Sequence, residues 1–226
     1  SVFNSPTQKQ FYQGTPIFYV WDDHDFGAGD STGKSPSNYA ANYAYRDFVP
    51  YDKLKGSLPD DDSAISGPAA NTTEDLYKTL PEADAQKGIF QSFIVGRCLF
   101  IILDLRTFKD VIENDILGEE QTVWLENQIR FAGYTEQVAQ IFIVSSFSWI
   151  HTSAKSEWSS YSEVQQTIAG WIEEYVPATK HIMMLSGDAH MIAFDDGSNN
   201  LYGGFPIVQA AALDRNGSCK GGPYSH

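Results

Sequence analysis

The sequence predicts an α/β protein of stacked sheet and helix layers, with its chemistry at the carboxyl edge of a sheet. Three observations lead there. Short apolar runs of β type alternate with longer stretches of helical periodicity. The interior runs, such as Cys98 to Leu103, are apolar almost throughout, as strands covered on both faces are. Polar residues then gather just past the ends of those runs, where ligands bind in open α/β sheets.

Taken in order, Ile17-Phe18-Tyr19-Val20-Trp21 reads as a short strand ending in the polar cluster Asp22-Asp23-His24-Asp25. A flexible loop, Gly27-Ala28-Gly29-Asp30, follows. Ser35-Pro36 predicts a helix start, with Ser as cap and Pro in the first helical position. The pairs Tyr39/Tyr43 and Ala40/Ala44 carry that helix to about Phe48, before Pro50. Residues 51–87 are rich in Pro, Gly, Asp and Ser and read as a long surface excursion, with Asp60-Asp61-Asp62 as a solvated loop tip.

Ile89–Val95 and Cys98–Leu103 predict a hairpin turning at Gly96-Arg97. It ends in Asp104-Leu105-Arg106. Gly118-Glu119-Glu120-Gln121 opens a helix with acids in its first turn, where the helix dipole favours them. Trp124, Leu125 and Ile129 form its apolar face. A buried strand is expected from Gln140 to Ser145. An amphipathic helix follows on Val164, Ile168, Trp171, Ile172 and Tyr175, at i, i+4, i+7, i+8 and i+11. His181 to Leu185 predicts a strand running into Ser186-Gly187-Asp188-Ala189-His190, and Ile207 to Leu213 a last one. Asp195-Asp196-Gly197 reads as a turn.

Composition narrows the function classes. A 226-residue chain that is 42% hydrophobic can bury a sizeable core, and it reads as one domain over residues 1–226. The net charge of −14 argues against nucleic acid and anionic membranes as partners, because both need surplus Lys and Arg. No apolar run is long enough for a membrane span. Asn71-Thr72-Thr73 and Asn216-Gly217-Ser218 match the glycosylation acceptor pattern and raise the expectation of a secreted or extracellular protein. Cys98 and Cys219 are expected as buried free thiols.

Two clusters carry the chemistry. Asp22-Asp23-His24-Asp25 packs three acids and a His into four consecutive residues. Such crowding costs like-charge repulsion unless a cation or an imidazolium offsets it. Gly187-Asp188-Ala189-His190 is the second. In an extended segment Asp188 and His190 lie on one face, two residues apart, and point into one site. Carboxylate with imidazole suits Zn, Mn or Fe, and carboxylate alone suits Ca or Mg. Arg106 offers a fork of donors for phosphate oxygens; an ion pair with Asp104 or Asp110 is the structural alternative.

Trp21-Asp22-Asp23-His24-Asp25-Phe26-Gly27 and Leu185-Ser186-Gly187-Asp188-Ala189-His190 resemble the two signatures of alkaline phosphatase D (PhoD)-like metallophosphatases. Asp104-Leu105-Arg106 resembles that family's strand-end segment, and Leu117-Gly118-Glu119-Glu120-Gln121 with Trp124-Leu125 its helix. The tail at Phe205-Pro206, Ala210–Asp214 and Gly221-Gly222-Pro223-Tyr224 matches one branch of the family.

The resemblance implies a layered α/β/β/α sandwich and a metal-dependent phosphomonoesterase or phosphodiesterase acting on a small phosphate ester. Two metals sharing a hydroxide would attack phosphorus, with Ca2+ and Fe3+ implied and Zn2+, Mn2+ or Mg2+ as alternatives. Asp22 or Asp23, with Asp188 and His190, would take the metal-ligand places. His24 would protonate the leaving oxygen, Asp25 would orient it, and Arg106 would contact phosphate. One departure is clear: no Asp or Glu precedes Asp22, whereas the family carries an upstream acid bridging both metals. The chain is therefore expected to lack the N-terminal part of that site, as a fragment or as a degenerate, non-catalytic metal-binding relative. A nuclease or phospholipase using the same metals is a weaker third reading.

Overall fold

The computed structural model describes residues 6–48, 88–150, 158–210, 216–218 and 220–226. Its framework is one mixed six-stranded sheet. The strands are β1 (Gln91–Val95), β2 (Cys98–Ile102), β3 (Gln140–Ser145), β4 (His181–Ser186), β5 (Ala193–Asp195) and β6 (Ile207–Gln209). They lie in the order β1-β2-β3-β4-β6-β5. The four central strands are mutually parallel, and β1 and β5 close the two edges antiparallel. The α/β class and the hairpin at Gly96 are as the sequence predicts; Gly96 has φ 62°, a conformation glycine adopts without penalty.

The helices are α1 (Pro6–Gly14), the single turn α2 (Asp23–Phe26), α3 (Asn38–Phe48), α4 (Gly118–Tyr134) and α5 (Ser162–Tyr175). α4 and α5 cover one face of the sheet. Trp124, Leu125, Ile129, Ile168 and Ile172 pack there against Leu99, Ile101, Ile141, Ile143 and Met184. Strand alternation explains the division: β3 buries Ile141 and Ile143, while Phe142 and Val144 on the opposite face are half-buried. Phe93, Phe100 and Phe142 form a stacked row across that second face, with ring centroids 5.0 and 4.8 Å apart. All six described strands belong to this one sheet. No described helix is long and apolar enough to cross a membrane.

Three expectations change. Ile17–Trp21 forms no strand and joins no ladder among the described residues. Phe18 instead stacks on Phe93 at 3.7 Å, which lays the run over the sheet rather than beside an edge strand. Side chains satisfy its Tyr19 carbonyl, through the Tyr45 hydroxyl at 2.7 Å and Gln91 Nε2 at 3.4 Å. Helix α3 begins at Asn38 rather than at Ser35, because Ser35 is used in a turn. Its hydroxyl accepts the Thr32 N–H and its carbonyl accepts the Asn38 N–H. Of the last strand expected over Ile207 to Leu213, the described residues form Ile207–Gln209 and 211–213 lie outside them; a short strand, β5, precedes it where the sequence suggested none.

Cys98 is half-buried with a free thiol. The loop at residues 51–87 with Asn71 and Asp60–Asp62, His151, Asp214, Arg215 and Cys219 lie outside the described residues.

Candidate active site

The site is built on Asp104, at the end of β2. Its carboxylate is fully buried and accepts five hydrogen bonds: from Trp21 Nε1 (2.8 Å), Ile89 N (2.9 Å), Arg106 N (3.1 Å), Thr107 N (3.1 Å) and Thr107 Oγ1 (2.5 Å). A buried carboxylate must be paired this way, since bare burial of the charge is costly. The Trp21 bond fixes the first cluster against the sheet. Trp21 is itself 1% exposed, and its ring meets Phe26 and Tyr45 edge-on.

Past Trp21 the chain closes the single turn α2. Asp22 N donates to Asp25 Oδ2 (3.1 Å), and Phe26 N donates to the Asp22 carbonyl (3.0 Å). The Asp25 carboxylate also bonds the Tyr19 hydroxyl, whose pKa is pushed up by burial and by the Asp25 charge. Asp23 accepts His24 N (2.8 Å) and Asp30 N (2.9 Å). Burial pushes Asp23 upward, but those backbone N–H groups, with the Arg106 and His24 charges, hold its carboxyl below the usual range. His24 is exposed at the tip. The loop after it docks on β2's exit: a Cβ on Gly33 would overlap the Thr107 carbonyl, and Lys34 pairs with Asp110.

Asp22 bonds to residues past two strand ends and feels the charge of a residue past a third. Its Oδ1 accepts Arg106 Nε (2.8 Å) and Nη2 (2.5 Å) from beyond β2, and Ser146 Oγ (3.1 Å) from beyond β3. From beyond β4, Asp188 is close enough for its charge to raise the Asp22 pKa. Burial is the largest upward cause on Asp22, opposed by Arg106. The Ser146 carbonyl also abuts Gly187, where an added Cβ would lie 2.9 Å from it. Arg106 therefore pairs with neither Asp104 nor Asp110 through its guanidinium. Its side chain is 3% exposed, and Nη1 is buried without a hydrogen-bond partner.

A second buried cation stands beside it. Lys109 is 1% exposed, and its Nζ lies 5.7 Å from the centroid of the Phe147 ring, with Arg106 Cζ at 5.1 Å from the same ring. Burial and the Arg106 charge bring its pKa down to about 8.

The second cluster is not extended. Asp188 and His190 are both left-handed, at φ 65° and 54°, around a fully buried Ala189. Alternation on a strand therefore does not set their directions. Asp188 lies 3.5 Å from Lys220 Nζ. His190 is half-buried.

The structure thus brings Asp22, Asp23, Arg106 and Asp188 to the carboxyl edge of three adjacent parallel strands. A sequence profile confirms the lineage: the family model for PhoD-like phosphatases matches residues 2–209 of the 226. The chain belongs to the PhoD-like phosphatase family. No curated protein and no solved structure matches it significantly. PhoD-like phosphatases are generally metal-dependent hydrolases of phosphate esters.

The donors in this PhoD-like chain do not make a coordination shell as arranged. Among the described residues no three His, Cys, Asp or Glu side chains come together to hold an ion. Asp22 is committed to Arg106 and Ser146, both Asp23 oxygens to backbone N–H groups, and Asp188 faces Lys220. Sequence reasoning missed Lys109 and Ser146. Lys109 follows Arg106 by three residues at a strand end, which was the available signal; nothing in the sequence announced its burial. Ser146 is one of two serines closing β3 and carried no signal.

Proposed function

We propose that this chain carries the phosphate-binding and leaving-group side of a phosphoric-ester hydrolase acting on small mono- or diesters. The observation that supports it most is the convergence of Arg106, Ser146 and Asp188 on Asp22 at one sheet edge. Arg106 keeps one unpartnered donor, Nη1, for a phosphate oxygen. Lys109 adds a second positive charge beside it. His24, exposed on the tip of α2, supplies a proton to the departing oxygen as general acid. Asp25 holds the turn that carries it, through Asp22 N. The acidic surface of the chain disfavours polyanionic nucleic acid as substrate and leaves small esters open.

Resemblance to the family nominates Asp22, Asp23, Asp188 and His190 as ligands for Ca2+ and Fe3+, or for Zn2+, Mn2+ or Mg2+. Their present engagements favour a second reading, a degenerate member that keeps one metal site or none and does not turn over substrate. Two measurements on the 226-residue chain separate the readings. The first is hydrolysis of p-nitrophenyl phosphate and its bis ester, with and without Ca2+ and Fe3+. The second is calorimetric titration with each ion. The hydrolase reading expects turnover that falls about 100-fold in Arg106→Met, the loss typical of one charge-stabilising donor. It also expects a marked fall in Asp188→Ala. Metal uptake without turnover supports the degenerate member. Turnover in Asp188→Ala equal to wild type defeats the assignment of the site.

A further inference from the structure

The loop after β4 holds two non-glycine residues, Asp188 and His190, in the left-handed region. Such a conformation is strained for a residue with a Cβ and persists only where its surroundings over-determine it. The sheet holds the start of this loop, through Gly187 N to the Ser145 carbonyl (3.2 Å) and Gln209 Nε2 to the Gly187 carbonyl, and within the loop Ala189 N donates back to the Gly187 carbonyl (2.8 Å). The carbonyls of Ala189 and His190 both face the C-terminal tail, and one residue takes both. Ser218 Oγ donates to the Ala189 carbonyl (2.6 Å), and Ser218 N donates to the His190 carbonyl (3.1 Å). Two residues on, Lys220 Nζ reaches the Asp188 carboxylate.

The tail is itself clamped at two further points. Gly222 N donates to the Ile150 carbonyl (3.0 Å), beyond β3, and His226 and Phe194 exchange reciprocal backbone bonds at 2.9 Å along β5. A segment fixed on both sides of the loop can impose a conformation that the loop would not hold alone.

We infer that Ser218 is a positioning residue: through the Ala189 and His190 carbonyls it sets the direction in which Asp188 and His190 face the site. The functional part of this inference rests on the hydrolase reading; the mechanical part does not.

The test compares Ser218→Ala and Ser218→Thr in the whole chain, with no metal added, by amide hydrogen exchange read by mass spectrometry. Ester hydrolysis by the same proteins is measured in parallel. Ser218→Ala is expected to speed exchange across residues 187–191 about fivefold, what loss of one ordinary hydrogen bond allows, with β3 unchanged. Ser218→Thr keeps the hydroxyl and restores the wild-type rate. In hydrolysis, kcat falls in the Ala variant while KM holds, because a misdirected group costs reaction geometry rather than binding. Exchange at 187–191 equal to wild type in Ser218→Ala overturns the inference, and so does a uniform rise over the whole chain that Thr does not reverse. Faster exchange at the loop, in a protein whose wild type hydrolyses no ester, leaves the strap standing and removes the hydrolase reading instead.

Discussion

Lys109 offers the most direct check on the electrostatics of the site. Its side chain is 1% exposed and shares the face of Phe147 with Arg106, so its ammonium is desolvated beside a second positive charge. These two causes, burial first, bring its pKa from 10.5 to about 8. The folded state therefore resists the proton that the unfolded chain keeps. Between the two pKa values the unfolded state binds more protons, so stability rises with pH, by about 1.4 kcal/mol per unit at the steepest. The whole displacement corresponds to about 3 kcal/mol, absent below the folded value and fully recovered above the unfolded one.

Replacing Lys109 by Met keeps the aliphatic stem and removes the titration. Other groups ionise in the same range, so the measured quantity is the difference in unfolding free energy between wild type and Lys109→Met. From about pH 7.5 to about pH 9.5 that difference should move about 2 kcal/mol in favour of wild type. In urea unfolding this is a relative midpoint shift of roughly 0.5–1 M, for the m-values of a domain this size. A difference that stays flat across that window would show that Lys109 keeps its proton normally when folded. The reasoning from burial and from Arg106 would then be wrong.

Three further outcomes follow from particular contacts. Asp104→Asn keeps the shape but turns one accepting oxygen into a donor facing the Ile89 N–H, and should cost about 3 kcal/mol by chemical denaturation; a loss under ~0.5 kcal/mol would mean that the buried carboxylate does not organise this edge. Gly133→Ala places a Cβ into the Tyr175 carbonyl at the α4–α5 contact, and its melting temperature should drop by several degrees, whereas the helical but unobstructed Gly170→Ala should hold or gain slightly. Arg106→Lys retains the charge but cannot give Asp22 both the Nε and Nη2 bonds, so hydrolysis should fall by about tenfold or more; equal rates for the two side chains would reduce Arg106 to a point charge.

Much of the fold was legible because periodicity reports burial. The runs at Cys98, Gln140 and His181 are apolar, since parallel strands are covered, and the spacing from Val164 to Tyr175 repeats at helical period. Where local pattern competed with tertiary contacts, it lost. Ile17–Trp21 carries β-type residues, yet stacking of Phe18 on Phe93 takes it out of any described ladder. Ser35-Pro36 has the chemistry of a helix start, but the Ser35 hydroxyl accepts the Thr32 N–H instead. β5 has three residues, too few for alternation to speak, and its pairing with β6 is a tertiary fact.

The site divides in the same way. Residue type and position past a strand end were enough to nominate Asp22, Asp23, Arg106 and Asp188, and the fold brings these to one edge. What a sequence does not encode locally is which charge each carboxylate faces. Asp22 and Arg106 are 84 positions apart, and Asp188 and Lys220 are 32 apart. Both pairings put a protein cation against a carboxylate that the motifs assign to metal. The same pairings keep two partly buried acids tolerable in a chain of net charge −14. Any ion entering this edge has to compete with Arg106 for Asp22 and with Lys220 for Asp188. The second pair is the weaker contest: it is longer, at 3.5 Å against 2.5 Å, and Lys220 is 45% exposed where Arg106 is 3% exposed. Exposure lets water screen the Lys220 pair, and a pair so screened contributes little. On the hydrolase reading, the left-handed loop of Asp188 and His190 would therefore be the side of the site where a cation meets the weaker protein competitor, and Asp22 the side where it meets the stronger one.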